Sequence, residues 1–325
     1  MNLKFKKKIN VLIFGCGSIG FRHLESLLKS KYNLNIYIIE KNSKTILNLK
    51  TQIQFNKNKN INISFYKKIF NFKIPFYLAI IATNSKDRLE SLKVLLKNNT
   101  VNYLILEKLL SPNLIELKKI KKFISKKKLN IYVNTPRRLM KVYVDIKQQI
   151  FKNDLISVDF SGSKWNFTSN AIHFIDLFTY LSDDKNLKKG SARILNKVNS
   201  KRNGYSEFYA SMYVYNNDGA VLHLSDNEKK SISLLTIKTK KYRFLVYEEF
   251  GLYFRISNKN NKDVKICKFK IEYQSTLTHR YFECLYKNMS LNLPTFEESY
   301  LQHLLFYELF FREIKQKNLQ NISIS

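Results

Sequence analysis

Along the first 136 residues, short unbroken apolar runs alternate with stretches whose leucines recur at helical spacing. Val11 to Phe14, Ile36 to Ile39, Ile61 to Tyr66, Phe76 to Ala82, Tyr103 to Leu106 and Ile131 to Val133 read as six strands. Phe76 to Ala82 is continuous rather than alternating, which is the pattern of a parallel strand covered on both faces. Between the strands, Leu24, Leu27 and Leu28 mark one helix, Ser43 to Leu49 a short second, and Leu89, Leu92, Leu95 and Leu96 a third. Ser85 stands where it would cap the third helix. A fourth helix is expected from Pro112 to Lys126, with Pro112 suited to its first turn. Strands alternating with helices predict an α/β domain built on a parallel, doubly wound sheet.

After Pro136 the pattern changes. Leu139 to Phe151 reads as helix, Leu155 to Gly162 as strand and Asn170 to Leu181 as helix. Strand-like runs then follow with only short polar breaks: Ala192 to Val198, Glu207 to Tyr215, Ala220 to Leu224, Ser231 to Thr239 and Tyr242 to Glu248. Asn217-Asp218-Gly219 is a hairpin signal between two of them. Strands that succeed one another without helices imply a mostly antiparallel sheet, hence an α+β second domain. The tail returns to helix at Gln274 to Asn288 and Glu297 to Lys317. Two domains are expected, 1–136 and 137–325, with a polar loop at Asn56 to Asn62 and disorder only at the extreme ends.

The length of 325 residues agrees with two domains, and 44% apolar residues including 24 Phe are enough for large cores. No apolar run reaches the roughly 18 to 20 residues of a membrane span, and the basic start, Met1 to Lys8, leads into a strand rather than a signal segment. A soluble cytoplasmic protein is expected. Three cysteines, Cys16, Cys267 and Cys284, are too few and too scattered for a disulfide framework or a zinc site, so no metal is implied. The formal charge of +32 invites a nucleic-acid reading, but only ten of the 57 basic residues are Arg and the Lys are spread over nearly every segment. Base readers need clustered arginines or interleaved aromatics, so nucleic acid is not the expected partner. A positive field still attracts anionic small molecules.

The candidate chemistry starts at the first strand. It runs into Gly15-Cys16-Gly17-Ser18-Ile19-Gly20, with glycines at G-x-G-x-x-G spacing. In a dinucleotide-binding unit the first glycine allows the tight turn, the second lets a pyrophosphate approach the backbone, and the third lets helix and strand pack closely. Cys16 reads as a small filler. Glu40 ends the second strand 20 residues beyond Gly20, where a carboxylate would accept the adenosine ribose hydroxyls. It favours NAD, while Lys41 and Lys44 leave NADP open.

Ligands of open α/β sheets bind past the carboxyl ends of the strands. Thr83 and Asn84, Glu107 and Lys108, and Asn134 to Arg138 occupy those positions. A lysine such as Lys108 can stabilise a developing alkoxide. His173 and Asp176 stand at i, i+3 on one predicted helix, where a carboxylate can orient an imidazole for acid–base work. The remaining histidines, His23, His223, His279 and His303, read as structural.

The succession G-C-G-S-I-G-x-R-H, a strand ending in A-T, then L-E-K, N-x-x-R-R, H-x-x-D and the closing P-T-F-E-E-S-Y-x-x-H resembles the Gfo/Idh/MocA oxidoreductases over essentially the whole chain. The resemblance implies an N-terminal Rossmann domain, a C-terminal domain whose open sheet serves homo-oligomerisation, and NAD(P)-dependent chemistry on sugars or cyclitols. By position it implies Lys108 near the nicotinamide and His173 as the catalytic histidine, with Asp176 beside it. Thr83, Asn84 and Glu107 are expected to contact the cofactor. Arg137 and Arg138 would hold a substrate phosphate or carboxylate, Trp165 would stack on a sugar or else belong to the core, and Ser169 and Asn170 would line the substrate. Three positions depart from the family pattern. Leu109 replaces the proline after the lysine, Ser169 replaces an aspartate four residues before the histidine, and Arg88 stands where a histidine is usual. The expectation is an oxidoreductase acting on a sugar or nucleotide sugar, with surface-polysaccharide biosynthesis as a setting. The alternative is a catalytically silent dinucleotide-binding partner or regulatory protein.

Overall fold

The computed structural model describes residues 8–54, 58–151, 154, 156–198, 200, 203–319 and 322–324. The expected disordered N-terminus, part of the loop at 56–62 and Leu155 at the head of an expected strand lie outside the described residues, whereas at the C-terminal end Ile324 is fully buried and donates its N–H to Pro112 O, which corrects the disorder expected there. The chain forms two compact units: Met1–Leu110, Lys119–Asn134 and Glu272–Phe296 make one, and Ser111–Lys118, Thr135–Ile271 and Glu297–Ser325 the other. A single boundary at 136 therefore does not describe the division, because a C-terminal segment returns to the first unit.

In the first unit β1 (Ile9–Phe14), β2 (Leu34–Ile39), β3 (Ile61–Tyr66), β4 (Phe76–Ile81), β5 (Val101–Glu107) and β6 (Asn130–Asn134) form one sheet in the order β3-β2-β1-β4-β5-β6. Every pair is parallel, so this is the doubly wound sheet of a Rossmann fold. Val11 to Ile13, Leu78 to Ile81 and Leu104 to Leu106 are fully buried, which explains why these strands are unbroken apolar runs. The connecting helices are α1 (Ser18–Leu27), α2 (Ser43–Ile53), α3 (Arg88–Asn98) and α4 (Leu114–Ile124). Asn42 starts α2 by accepting the N–H groups of Lys44 and Thr45. Pro112 lies ahead of α4 rather than in its first turn, and Asn113 Oδ1 accepts the Glu116 N–H instead.

The returning segment carries α7 (Thr278–Tyr286). Phe282 and Tyr286 pack edge-on against Tyr32 and Tyr77, and the Tyr77 hydroxyl donates to Leu285 O. Thr295 bridges Tyr132 antiparallel, and Val133 N–H donates to Pro294 O, so the open edge of β6 is covered.

The second unit contains α5 (Lys141–Lys147), β7 (Ser157–Ser163), α6 (Phe167–Ser182), β8 (Leu187–Val198), β9 (Glu207–Asn216), β10 (Val221–Asn227), β11 (Leu234–Lys238), β12 (Tyr242–Tyr247), β13 (Leu252–Ser257), β14 (Val264–Lys268) and most of α8 (Phe296–Gln316). The sheet order is β14-β13-β12-β11-β7-β10-β9-β8, antiparallel except that β7 and β10 run parallel. The hairpin at Asn217-Asp218-Gly219 joins β9 to β10, with Gly219 at φ 85°. Buried residues alternate along β7 and β10, so one face of the sheet is core and the other is open. On the core face Phe306 and Phe310 of α8 pack with Phe167, and Phe310 with Phe208.

Candidate functional site

The order of the parallel sheet reverses between β1 and β4, and a cavity of about 340 Å³ opens beyond their carboxyl ends. Gly15, Gly17, Glu40, Lys41, Thr83 and Asn84 contribute to its wall. The three glycines are bare for three different reasons. Gly15 holds φ 84°, and a Cβ there would lie 2.9 Å from Thr83 N. At Gly20 a Cβ would lie 2.1 Å from Gly15 O, so only glycine lets α1 close onto the turn. At Gly17 a Cβ would meet nothing within 4 Å. No protein atom requires glycine at Gly17, and the space it leaves is on the cavity side of a helix that begins at Ser18 with no side-chain cap. This arrangement suits a phosphate lying against bare backbone, with Ile19 one residue further into the helix.

Glu40 is held from both sides. Its Oε2 accepts the Cys16 N–H and its Oε1 the Asn42 N–H, both at 2.9 Å. Each carboxylate oxygen keeps acceptor capacity for a ribose hydroxyl. Lys41 pairs with Asp87 at 3.6 Å and is otherwise exposed. Burial, reinforced by Glu40, pushes the Cys16 thiol up to about 12, so it is an inert filler as expected from its place in the turn.

Two residues at this end of the sheet are engaged within the first unit. Glu107, expected to contact the cofactor, is buried and accepts from His23 Nε2 at 2.9 Å and from the amide of Asn134. Burial alone would raise its carboxyl, but the hydrogen bond and charge of His23, the Asn134 amide and the Arg88 guanidinium together hold it below the usual carboxylate range. His23 also bonds Thr278 through Nδ1 at 2.8 Å, and Asn134 donates to Gln274. Arg88, whose role the sequence did not disclose, is 1% exposed. Its guanidinium donates to the carbonyls of Ile81, Thr83 and Glu107, pinning the ends of β4 and β5. The signal available was chemical: an Arg among so many Lys points to a place where a planar fork is used. Lys108 follows at the end of β5, half-buried; the Lys108–Leu109 peptide is cis, and Leu109 and Leu110 are fully buried.

In the second unit His173 is half-buried on α6, and its expected partner is engaged elsewhere. Asp176 is fully buried, and its oxygens accept Arg138 Nε at 2.9 Å, Arg138 Nη2 at 2.5 Å and Gln302 Nε2 at 3.1 Å. It anchors α6 to the segment before α5. Arg138 is consumed by the same pair. Arg137 is bidentate to Glu248 at 3.0 and 2.9 Å, with its guanidinium 4.1 Å from the Phe174 ring centroid. Both arginines, expected to hold a substrate anion, are paired within the second unit. Trp165 is half-buried, donates its indole N–H to Ser225 O at 2.9 Å and packs against Phe160, Phe167 and Phe174. Ser169 Oγ donates to Glu207 at 2.6 Å, and Asn170 Nδ2 to Trp165 O at 2.7 Å. His223 pairs with Asp159 across β10 and β7 and stacks on Tyr213 at 4.3 Å. Neither partner could be matched to it from sequence, because the strands that bring them together lie far apart in the chain.

No protein-family model matches the chain, and no curated protein matches it by sequence. Solved structures do match it over nearly its full length. An oxidoreductase from Agrobacterium radiobacter, solved with NAD+, L-tartaric acid and magnesium, aligns with TM-score 0.71 at 13% identity, covering 93% of this chain and 96% of that one. UDP-N-acetylglucosamine 3-dehydrogenase from Acidithiobacillus ferrooxidans aligns with TM-score 0.70 at 10% identity, covering 93% and 97%. A super-repressor mutant of Gal80p from Saccharomyces cerevisiae aligns with TM-score 0.73 at 14% identity, covering 95% and 97%. At these identities the likeness is one of fold, and that fold is a Rossmann unit joined to a second unit with an open, mostly antiparallel sheet.

Proposed function

We propose that the chain binds a nicotinamide dinucleotide at the β1–β4 cavity and acts as an NAD(P)-dependent oxidoreductase on a sugar or nucleotide sugar. The observation that carries the binding half is Gly17: it is bare where no protein atom demands it, beside a cavity whose rim holds Glu40. The resemblance of the motifs and the fold neighbours, a UDP-sugar dehydrogenase among them, support the reaction class. The bound nicotinamide would supply the hydride acceptor or donor. Glu40 would hold the adenosine ribose and Gly17 the pyrophosphate, with Thr83 and Asn84 at the rim. Lys108 would stabilise the substrate oxygen, and His173 would exchange its proton without help from Asp176. Adding NAD and NADP separately and following thermal shift and nicotinamide fluorescence tests the binding half, and no response to either ends it. With a substrate in hand, His173→Ala should lower the rate about 10²-fold or more; an unchanged rate removes that role.

A second reading, a dinucleotide-binding protein without turnover, is favoured by a specific observation. Arg137, Arg138 and the Trp165 indole N–H are all occupied by internal partners. It predicts NAD binding with no turnover across a panel of nucleotide sugars and polyols. On either reading the open face of the second sheet is proposed as a homo-oligomer surface, to be checked by light scattering.

A further inference from the structure

Helix α6 begins in an unusual way. The residue before it, Asn166, holds φ 60° and offers no side-chain cap, and Lys164 holds φ 58°. The backbone N–H groups of Trp165, Phe167 and Thr168 at this entry are taken by two carboxylates delivered from neighbouring strands. Asp226, near the end of β10, accepts the N–H of Trp165 at 3.3 Å through Oδ1 and that of Phe167 at 3.1 Å through Oδ2. Glu207, the first residue of β9, accepts Thr168 N–H at 2.5 Å and the Thr168 hydroxyl through Oε1, and the Ser169 hydroxyl at 2.6 Å through Oε2. Both acids are buried, at 1% and 5% exposure.

We infer that Asp226 and Glu207 are positioning residues that together fix the entry into α6, and with it the helix that carries His173, and that a proton taken up by Asp226 releases this entry. A buried carboxylate resists ionisation, and the positive end of the helix and its N–H groups are what make the charge of Asp226 tolerable. The charge-assisted bonds from Trp165 and Phe167 weaken when the acceptor is neutral. Burial raises the Asp226 carboxyl, three backbone N–H groups work against that, and Glu207 adds to the rise, leaving it at about 6. The other groups about Asp226 are Tyr209 of β9, which also lies by Glu228 just past β10, and Lys164, which contributes its backbone N–H. The inference does not depend on whether His173 handles a proton.

Trp165 is the only tryptophan in the chain, so its emission reports this segment alone. The test follows that emission in the full chain between pH 8 and pH 5. A sigmoidal change centred near 6 is expected, with far-UV circular dichroism constant. It should vanish in Asp226→Asn and move to lower pH in Glu207→Gln. A flat profile in the unaltered protein, or an unshifted midpoint in Asp226→Asn, overturns the inference. If Asp226→Asn does not fold, Glu207→Gln decides: a midpoint that stays in place rejects the coupling.

Discussion

The carboxylate of Glu40 accepts the backbone N–H of Cys16 at 2.9 Å, tying the end of β2 to the middle of the glycine turn. A negative group fixed there favours ribose hydroxyls and repels a 2′-phosphate. Glu40→Ala should therefore shift preference from NAD toward NADP by about 10-fold, or about 1.4 kcal/mol. Titration of each cofactor by fluorescence measures it, and an unchanged ratio would remove Glu40 from the ribose site.

Gly17 and Gly20 should respond oppositely to the same substitution. At Gly20 a methyl group would sit 2.1 Å from Gly15 O, so Gly20→Ala should destabilise the first unit by about 3 kcal/mol or more. At Gly17 the same methyl meets no protein atom within 4 Å. Gly17→Ala should melt within about 1 kcal/mol of the unaltered protein and yet lose dinucleotide binding. A Gly17→Ala protein that binds normally would locate the pyrophosphate elsewhere.

Arg138 and Asp176 form a buried pair whose members cannot be removed singly. Arg138→Met leaves the Asp176 carboxylate with its main partner gone and should cost about 3 to 5 kcal/mol. The double substitution Arg138→Met with Asp176→Leu should recover most of that loss, because no uncompensated charge remains. Urea unfolding of the three proteins checks the cycle; simple additivity would show that the pair is not energetically coupled.

The carboxyl of Glu107 lies below its ordinary range once folded, so the sign of its effect is set. Its stabilising contribution is fully present above the unfolded value of about 4.3 and is lost as pH falls through the lower folded value. The stability gap between the unaltered protein and Glu107→Gln should be constant near neutrality and close in acid. Urea unfolding at a series of pH values measures it, and a gap that widens below pH 4 contradicts the assignment.

The parallel sheet was legible from sequence because its strands are buried on both faces, and a strand in that environment must be an apolar run. Gly15 and Gly20 were legible for a similar reason, since a left-handed turn at the one and the close approach of Gly15 O at the other leave no room for a side chain. β14 was not singled out, because Val264–Lys268 is exposed along most of its length and carries lysines in place of a hydrophobic pattern. The return of α7 to the first unit had no sequence signal either: an amphipathic helix shows that it has a buried face, not which sheet supplies the partner.

The side chains around His173 mark where sequence reasoning ends. Spacing correctly placed Asp176 on the same helix as His173, but helical spacing says nothing about what approaches from outside. Arg138, 38 residues away, and Gln302, 126 residues away, take its oxygens. In the same way Glu248 takes Arg137, Glu207 takes Ser169, and Asp226 takes the start of α6. Local pattern in the chain thus determined the secondary structure, the parallel sheet and the glycine turn, because each depends on neighbours within a few residues. Which polar groups are spent on one another and which face a ligand was decided only by the tertiary fold, because a buried charge is satisfied by whatever folding brings within 3 Å, regardless of its distance along the sequence.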